Sequence, residues 1–341
     1  MKAVIVRAFT PFDQAEYGEL PDPVPGPGEV VVDIAAAEAN FPDILYIEGR
    51  YQAKPPFPFS PGLAGAGTVS AVGPVVDTLA VGDRVMVLPH HGTYAEKIAL
   101  PSGFCFPMPD DMPFDAAAAC GLVYQTAWFA LTDRAAMRPG ETVLVLGATG
   151  GVGMAAVQLA RALGAGTVVA ATRGPDGAAL ARALGADHVI DAAAPDLRDA
   201  MRDGVRAATG GRGADVVIDP VGGAASAAAL RAMAWKGRMA VVGFASGEVP
   251  RIGANYLLVK TISVGGMQWT DYRDRQLDRV HAAQSEIFRL WQAGRVAPRI
   301  AERLPLARYA EALRRLSQAE VAGKIVPTTG DATSTKGEPT Q

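Results

Sequence analysis

An apolar strand that runs into glycines and opens at once into a helix leaves a chain few folds to choose from. The segment Val143-Leu144-Val145-Leu146-Gly147-Ala148-Thr149-Gly150-Gly151-Val152-Gly153-Met154 has that form. Gly150 and Gly151 let backbone approach a pyrophosphate with no Cβ in the way, and Gly153 lets the helix pack closely on the strand. The helix N-terminus adds unpaired N–H groups and about half a positive charge. Ala148 takes the place of the first glycine in G-x-G-x-x-G, with Gly147 just before it. The loop is therefore a variant, and its context must carry the reading. Ala148, Gly150, Gly151, Val152 and Gly153 are expected to hold a dinucleotide.

The context is supplied by the rhythm that follows. Strands are expected at Thr142–Leu146, Thr167–Ala171, His188–Ile190, Asp215–Ile218, Arg238–Val242 and Thr261–Val264. Helices are expected at Val152–Leu163, Ala178–Leu184 and Ala224–Met233. Short apolar strands joined by helices imply a doubly wound parallel sheet covered on both faces. Before this region, residues 1–121 alternate runs such as Val30-Val31-Val32 with proline and glycine. The stretch Pro21-Asp22-Pro23-Val24-Pro25-Gly26-Pro27-Gly28 cannot be helix interior. That part reads as largely β. The fold class is therefore α/β, a doubly wound sheet plus a β domain, and 341 residues suffice for about two domains. A charged amphipathic helix near Arg275–Gln292, a helix at Glu311–Leu316 and a strand at Lys324–Val326 follow. The polar tail 328–341 is expected to be disordered.

Cofactor choice follows from the tip of the second strand. An NAD site places an acid there against the ribose 2′-hydroxyl. Here the strand ends in Thr172-Arg173, and a guanidinium suits a 2′-phosphate. NADPH is expected, with Asp176 as the one opposing charge. The loop Gly243-Phe244-Ala245-Ser246 follows the fifth strand, and carboxyl ends of strands line the ligand crevice in open sheets. Gly243, Phe244 and Ser246 thus join the expected cofactor contacts.

Charge and cysteine usage exclude other classes. A net charge of −3 gives no basic field for nucleic acid. Cys105 and Cys120, the two cysteines, cannot form a disulfide framework or a four-cysteine zinc lobe, which fits a reducing cytoplasm. No apolar run approaches the ~18–20 residues of a membrane helix, and Arg7 interrupts the amino terminus too early for a signal peptide.

Gly82-Asp83-Arg84-Val85, Asn40-Phe41-Pro42-Asp43, Pro61-Gly62-Leu63-Ala64-Gly65-Ala66-Gly67, the loop Gly147–Gly153 and Ala322-Gly323-Lys324-Ile325-Val326 resemble the medium-chain dehydrogenase/reductase family across nearly the whole chain. The similarity is greatest to NADPH:quinone oxidoreductases of the zeta-crystallin type. The resemblance implies a GroES-like catalytic domain from residues 1–122 and 265–327, a Rossmann domain from residues 123–264, a cleft between them, and a homodimer. It places Thr126 beside the nicotinamide ribose and Tyr124 near the substrate. The positions that hold catalytic zinc in related alcohol dehydrogenases match Asn40, Leu63 and Leu122, and Ala64 stands where a glutamate is frequent. Two leucines offer zinc no donor, so no metal is expected. His90, His91, His188 and His281 form no ligand set.

Without a Lewis acid, the acceptor must take hydride easily, as quinones and activated enones do. The protein then supplies proximity and hydrogen-bond donors. Asn40 can orient a carbonyl oxygen, and Tyr51 matches a proton donor proposed in related enoyl thioester reductases. Tyr46 is a weaker candidate, and Asp43 is expected to hydrogen-bond locally. Reduction of a quinone is the leading expectation. The alternatives are C=C reduction of an enal, enone or enoyl thioester, and an NADPH-binding structural or nucleic-acid-binding protein with negligible turnover.

Overall fold

A computed structural model describes residues 1–330, which fall into two compact units: residues 1–122 with 298 onward, and residues 123–297. The first segment carries β1 (Lys2–Ile5), β2 (Glu16–Glu19), β3 (Glu29–Ala37), α1 (Phe41–Ile47), β4 (Gly65–Val72), β5 (Arg84–Val87), β6 (Lys97–Pro101), β7 (Cys105–Pro107) and α2 (Phe114–Ala119). The second carries α3 (Leu122–Phe129), β8 (Thr142–Leu146), α4 (Gly151–Ala162), β9 (Thr167–Thr172), α5 (Gly174–Ala183), β10 (His188–Asp191), α6 (Leu197–Ala208), β11 (Ala214–Asp219), α7 (Gly223–Ala232), β12 (Met233–Val241), α8 (Ala254–Lys260), β13 (Ser263–Gly266), α9 (Trp269–Arg275) and α10 (Leu277–Gln292). The last adds β14 (Ile300–Pro305), α11 (Tyr309–Ser317) and β15 (Lys324–Thr328).

In the unit built on residues 123–297, six parallel strands lie in the order β10-β9-β8-β11-β12-β13. Counted within the unit this is 3-2-1-4-5-6, the doubly wound Rossmann order, whose switch point lies between β8 and β11. All five residues of β8 are buried, because helices cover both faces of a parallel sheet. Each Val or Leu taken from water there contributes roughly 1.5–3 kcal/mol. The expected α/β class with a doubly wound sheet is what the chain forms.

The other unit is a seven-strand, mostly antiparallel arrangement in the order β14-β15-β3-β4-β5-β7, with β6 also pairing β3, plus the β1-β2 ribbon. Its hydrophobic core has one cluster around Val32, Val69 and Val87 and another around Ile47, Tyr94 and Leu313.

Two expected boundaries need correction. The chain leaves the Rossmann unit at Ala297–Pro298, not near residue 265. The reason is side-chain bonding that joins α9 and α10 to that unit. Gln125 donates to the Val280 carbonyl at 2.9 Å, and Tyr272 donates to Asp133 at 2.5 Å. Phe129 and Tyr272 stack with ring centres 4.2 Å apart. Thr328, where a disordered tail was expected to begin, is instead the last residue of β15, and Thr329 donates its backbone N–H to Ala35 at 3.3 Å. The remainder of the expected disordered tail lies outside the described residues.

Candidate active site

The glycine turn after β8 is shaped by one close approach. Gly147 holds a positive φ of +57°, and a methyl group on Gly153 would lie 2.1 Å from the Gly147 carbonyl oxygen. Only a glycine lets α4 start this close to the strand end. Gly150 is the extended N-cap residue, and Met154 makes the first bond back to its carbonyl at 2.8 Å. The amides of Gly151, Val152 and Gly153 therefore stand in the first turn with no carbonyl of their own helix to bond. Gly150 is exposed, with Gly151 and Val152 partly so, while Ala148 is buried and donates its N–H to Ala171 at 3.1 Å. Such a turn can hold a pyrophosphate.

Around it the carboxyl ends of neighbouring strands are tied together. Thr149 and Thr172 hydroxyls lie 3.2 Å apart. Asp219, at the end of β11, accepts the N–H groups of Val221 and Gly222 at 2.9 Å and the Ser226 hydroxyl. The loop after β12 docks onto that turn: Ala245 and Ser246 donate to the Pro220 and Val221 carbonyls at 3.1 and 2.9 Å. This leaves Gly243 partly exposed and Phe244 and Ser246 exposed.

Beyond Thr172 a pocket of about 290 Å³ is lined by Thr172, Gly174, Ala178, Arg182, Val189 and Asp191, among others. Arg173 is exposed at the N-cap of α5. Arg182 and Asp191 were missed in the sequence, although both leave a signal. Arg182 follows Ala178 by one helical turn, and Asp191 closes a strand at its ligand-facing end. On α3, Thr126 is buried, and the Tyr124 hydroxyl meets Gln158 at 3.3 Å. Trp269 is buried in the same unit, its ring N–H 3.5 Å from Gln125.

In the other unit, Asn40 caps α1 and is the hub of a buried polar cluster. Its side-chain Nδ2 donates to Glu38 at 2.8 Å, and its Oδ1 accepts from the Lys324 ammonium at 2.8 Å. Lys324 also donates to the Ala39 carbonyl at 2.9 Å and pairs with Glu38 at 3.0 Å. That last contact lies off the line of a directed hydrogen bond. Asp43 accepts the Asn40 backbone N–H at 2.8 Å and the Tyr94 hydroxyl at 3.1 Å, which makes it the local capping group expected. Its other oxygen has no hydrogen-bond partner. Burial pushes the Asp43 carboxyl up to about 7, and the same loss of water raises Glu38, against the pull of Lys324. Tyr94, beside Asp43, is raised further still by its own burial.

Tyr46 is buried and stacks on Tyr51, with ring centres 4.6 Å apart at 26°. Glu38 donates its backbone N–H to Ala64 at 3.0 Å, and a methyl on Gly121 would touch Ala64 at 3.3 Å. The stretches bearing Asn40, Leu63 and Leu122 thus converge. The donor set is one amide and two buried hydrocarbons, which does not fit zinc. No group of three or more His, Cys, Asp or Glu side chains suited to a metal occurs among the described residues. Cys120 is fully buried, and burial raises its thiol.

A cofactor turn at the switch point of a doubly wound sheet, joined to a GroES-like β unit, defines a dehydrogenase/reductase class. Family models described as alcohol dehydrogenase GroES-like domain and zinc-binding dehydrogenase match residues 26–110 and 151–282. Quinone oxidoreductase-like protein 2 of Mus musculus is 35% identical, over 90% of this chain and 86% of its own. The mycobacterial protein Rv1454c, solved complexed with NADPH, is 30% identical with a TM-score of 0.89, covering 96% of this chain and 100% of that one. A Pseudomonas syringae quinone oxidoreductase structure is 31% identical with a TM-score of 0.88, over 96% and 99%. The chain belongs to the quinone oxidoreductase-like family of the medium-chain dehydrogenases/reductases, as its motifs led one to expect.

Proposed function

We propose that this chain is an NADPH-dependent oxidoreductase that reduces a quinone without a metal. The observation that carries the reading is the cluster at Asn40, Leu63 and Leu122, which offers an amide and hydrocarbon where a Lewis acid would need donors. Bound NADPH supplies a hydride. The chain's own residues do the rest. The first-turn amides of α4 seat the pyrophosphate, and Thr126, Gly243, Phe244 and Ser246 fix the nicotinamide end.

Arg173 and Arg182 favour the 2′-phosphate, against Asp191. A carboxylate 4 Å from that phosphate costs about 4 kcal/mol at an effective dielectric near 20, and screening lowers this to about 1–2 kcal/mol. Two guanidiniums stand against the carboxylates of Asp191 and Asp176, and their capacity for bidentate bonds to a phosphate tips the balance to NADPH. On the acceptor side, Asn40 orients the carbonyl oxygen through its remaining N–H, and Tyr51 or solvent returns a proton to the reduced oxygen. Conjugation spreads the incoming electron pair, so hydrogen bonds suffice where a simple ketone would need a stronger electrophile.

The dimer belongs to this reading too. Strand β13 pairs on one side with β12, and nearby Leu258 and Val259 are each about four-fifths exposed, a surface a second copy would cover. Cys105 and Cys120 are free and buried, which suits a cytoplasmic setting. No described helix is long and apolar enough to cross a membrane. Turnover of NADPH with a panel of quinones, enals and enones tests the reading. Quinone turnover dominating supports it, and turnover confined to C=C bonds replaces it with the enone alternative.

A further inference from the structure

Lys324 is 3% exposed, yet its ammonium faces three oxygens from one short stretch, residues 38–40. Burying an ammonium among apolar strands is costly unless its partners are fixed. The arrangement also removes an ambiguity. An ammonium donates only, so the oxygen of the Asn40 amide must face Lys324. A carboxylate accepts only, so the nitrogen must face Glu38. The amide cannot flip without setting donor against donor and acceptor against acceptor. One N–H of Asn40 remains outside these bonds.

We propose that Lys324 and Glu38 are positioning residues, an internal cation and its carboxylate that hold the Asn40 amide in one orientation with one N–H to spare. The use of that N–H by a substrate oxygen rests on the function proposed above. The orientation itself does not. A second consequence follows from the cage of oxygens around Nζ, whose 2.8–3.0 Å distances suit a free alkylammonium once the lysine is cut back.

The chain has two asparagines, Asn40 and Asn255. Protein labelled with ¹⁵N-asparagine therefore shows two side-chain amide groups by NMR, each as a pair of N–H signals on one nitrogen. Asn255 is exposed on α8, and Asn255→Ser assigns the Asn40 signal by elimination. In Lys324→Ala the Asn40 amide protons should exchange with water at least about tenfold faster, with Asn255 unchanged. Methylammonium chloride should slow that exchange again, and tetramethylammonium, which has no N–H, should not. Should Lys324→Ala fail to fold, Glu38→Gln gives the same reading: it sets an N–H against either Asn40 or Lys324, and the Asn40 signal must move and exchange faster. Unchanged exchange in whichever variant folds, or a change in Lys324→Ala that methylammonium does not reverse, overturns the proposal. These readouts need neither cofactor nor acceptor, so they stand apart from the proposed reaction. In turning-over enzyme, Lys324→Ala should lower kcat by at least about tenfold and leave the NADPH Kd unchanged. Retained kcat with a released amide removes the catalytic use of that orientation.

Discussion

A methyl group placed on Gly153 would sit 2.1 Å from the carbonyl oxygen of Gly147, and 2.8 Å from the Ala148 Cα. No real Cβ approaches backbone so closely, so the turn and the start of α4 are shaped by that one absent atom. Gly153→Ala must push the helix away from the strand end and with it the first-turn amides. NADPH affinity, followed by the cofactor's fluorescence, should fall by at least about tenfold, or about 1.4 kcal/mol. Wild-type affinity in a folded Gly153→Ala protein would remove these amides from the pyrophosphate site.

In the function proposed above, cofactor preference depends on the charges beside Thr172. Arg173→Asp should lower the NADPH-over-NADH ratio in kcat/KM by at least about tenfold. Asp191→Asn should raise it several-fold, because a like charge leaves the 2′-phosphate pocket. Ratios that stay put in both variants would move the 2′-phosphate away from this pocket.

Asp43 gives a pH signature. Its folded carboxyl titrates at about 7 because burial disfavours the charge, whereas an unfolded one titrates near 3.9. Between these values the native state holds a proton that the unfolded chain has released. The contribution to stability is therefore full below the lower value and is lost as pH rises toward 7, at no more than about 1.4 kcal/mol per pH unit. Asp43→Asn keeps an acceptor for Asn40 and Tyr94 and removes the titration. Denaturant unfolding of the two proteins should show wild type losing ground to the variant from pH 4 to 7. Parallel curves would refute this.

Tyr51→Phe separates the two acceptor classes. If quinone reduction needs only hydrogen bonds, the variant should keep most of its quinone turnover, within about threefold, while losing about tenfold or more with enones, whose carbon must be protonated. Equal losses on both would make Tyr51 a wall of the pocket through its stack on Tyr46.

Much of this was legible in the residues. The strand Thr142–Leu146 was placed to the residue, because five consecutive buried positions bounded by glycines leave no other register. The start of β12 was not. The ladder begins at Met233, five residues before Arg238, and Lys236 with its positive φ and Gly237 hid the early part. Helix α6 was missed altogether, since its apolar stripe rests on two buried residues, Met201 and Val205. The lower boundary failed for a different reason. What ties residues 265–297 to the Rossmann unit is a set of bonds such as Gln125–Val280, made between positions 155 apart in sequence, and periodicity carries no trace of those. In the site, Asn40 could be singled out by its motif. Its bond to Lys324, a residue 284 positions away at the start of β15, could not, nor could the bond that Tyr94, in the loop before β6, makes to Asp43. Glu38 did leave a mark, a lone charge in Ala35-Ala36-Ala37-Glu38-Ala39, and such a charge implies a buried partner.

The proposed hydride transfer proceeds without a Lewis acid, because Leu63 and Leu122 stand where donors would be needed. The direct measurement is NADPH oxidation by a quinone before and after exhaustive chelation, with zinc content determined on the same samples. The account predicts no stoichiometric zinc and an unchanged rate. A rate abolished by the chelator and restored by added zinc would contradict it.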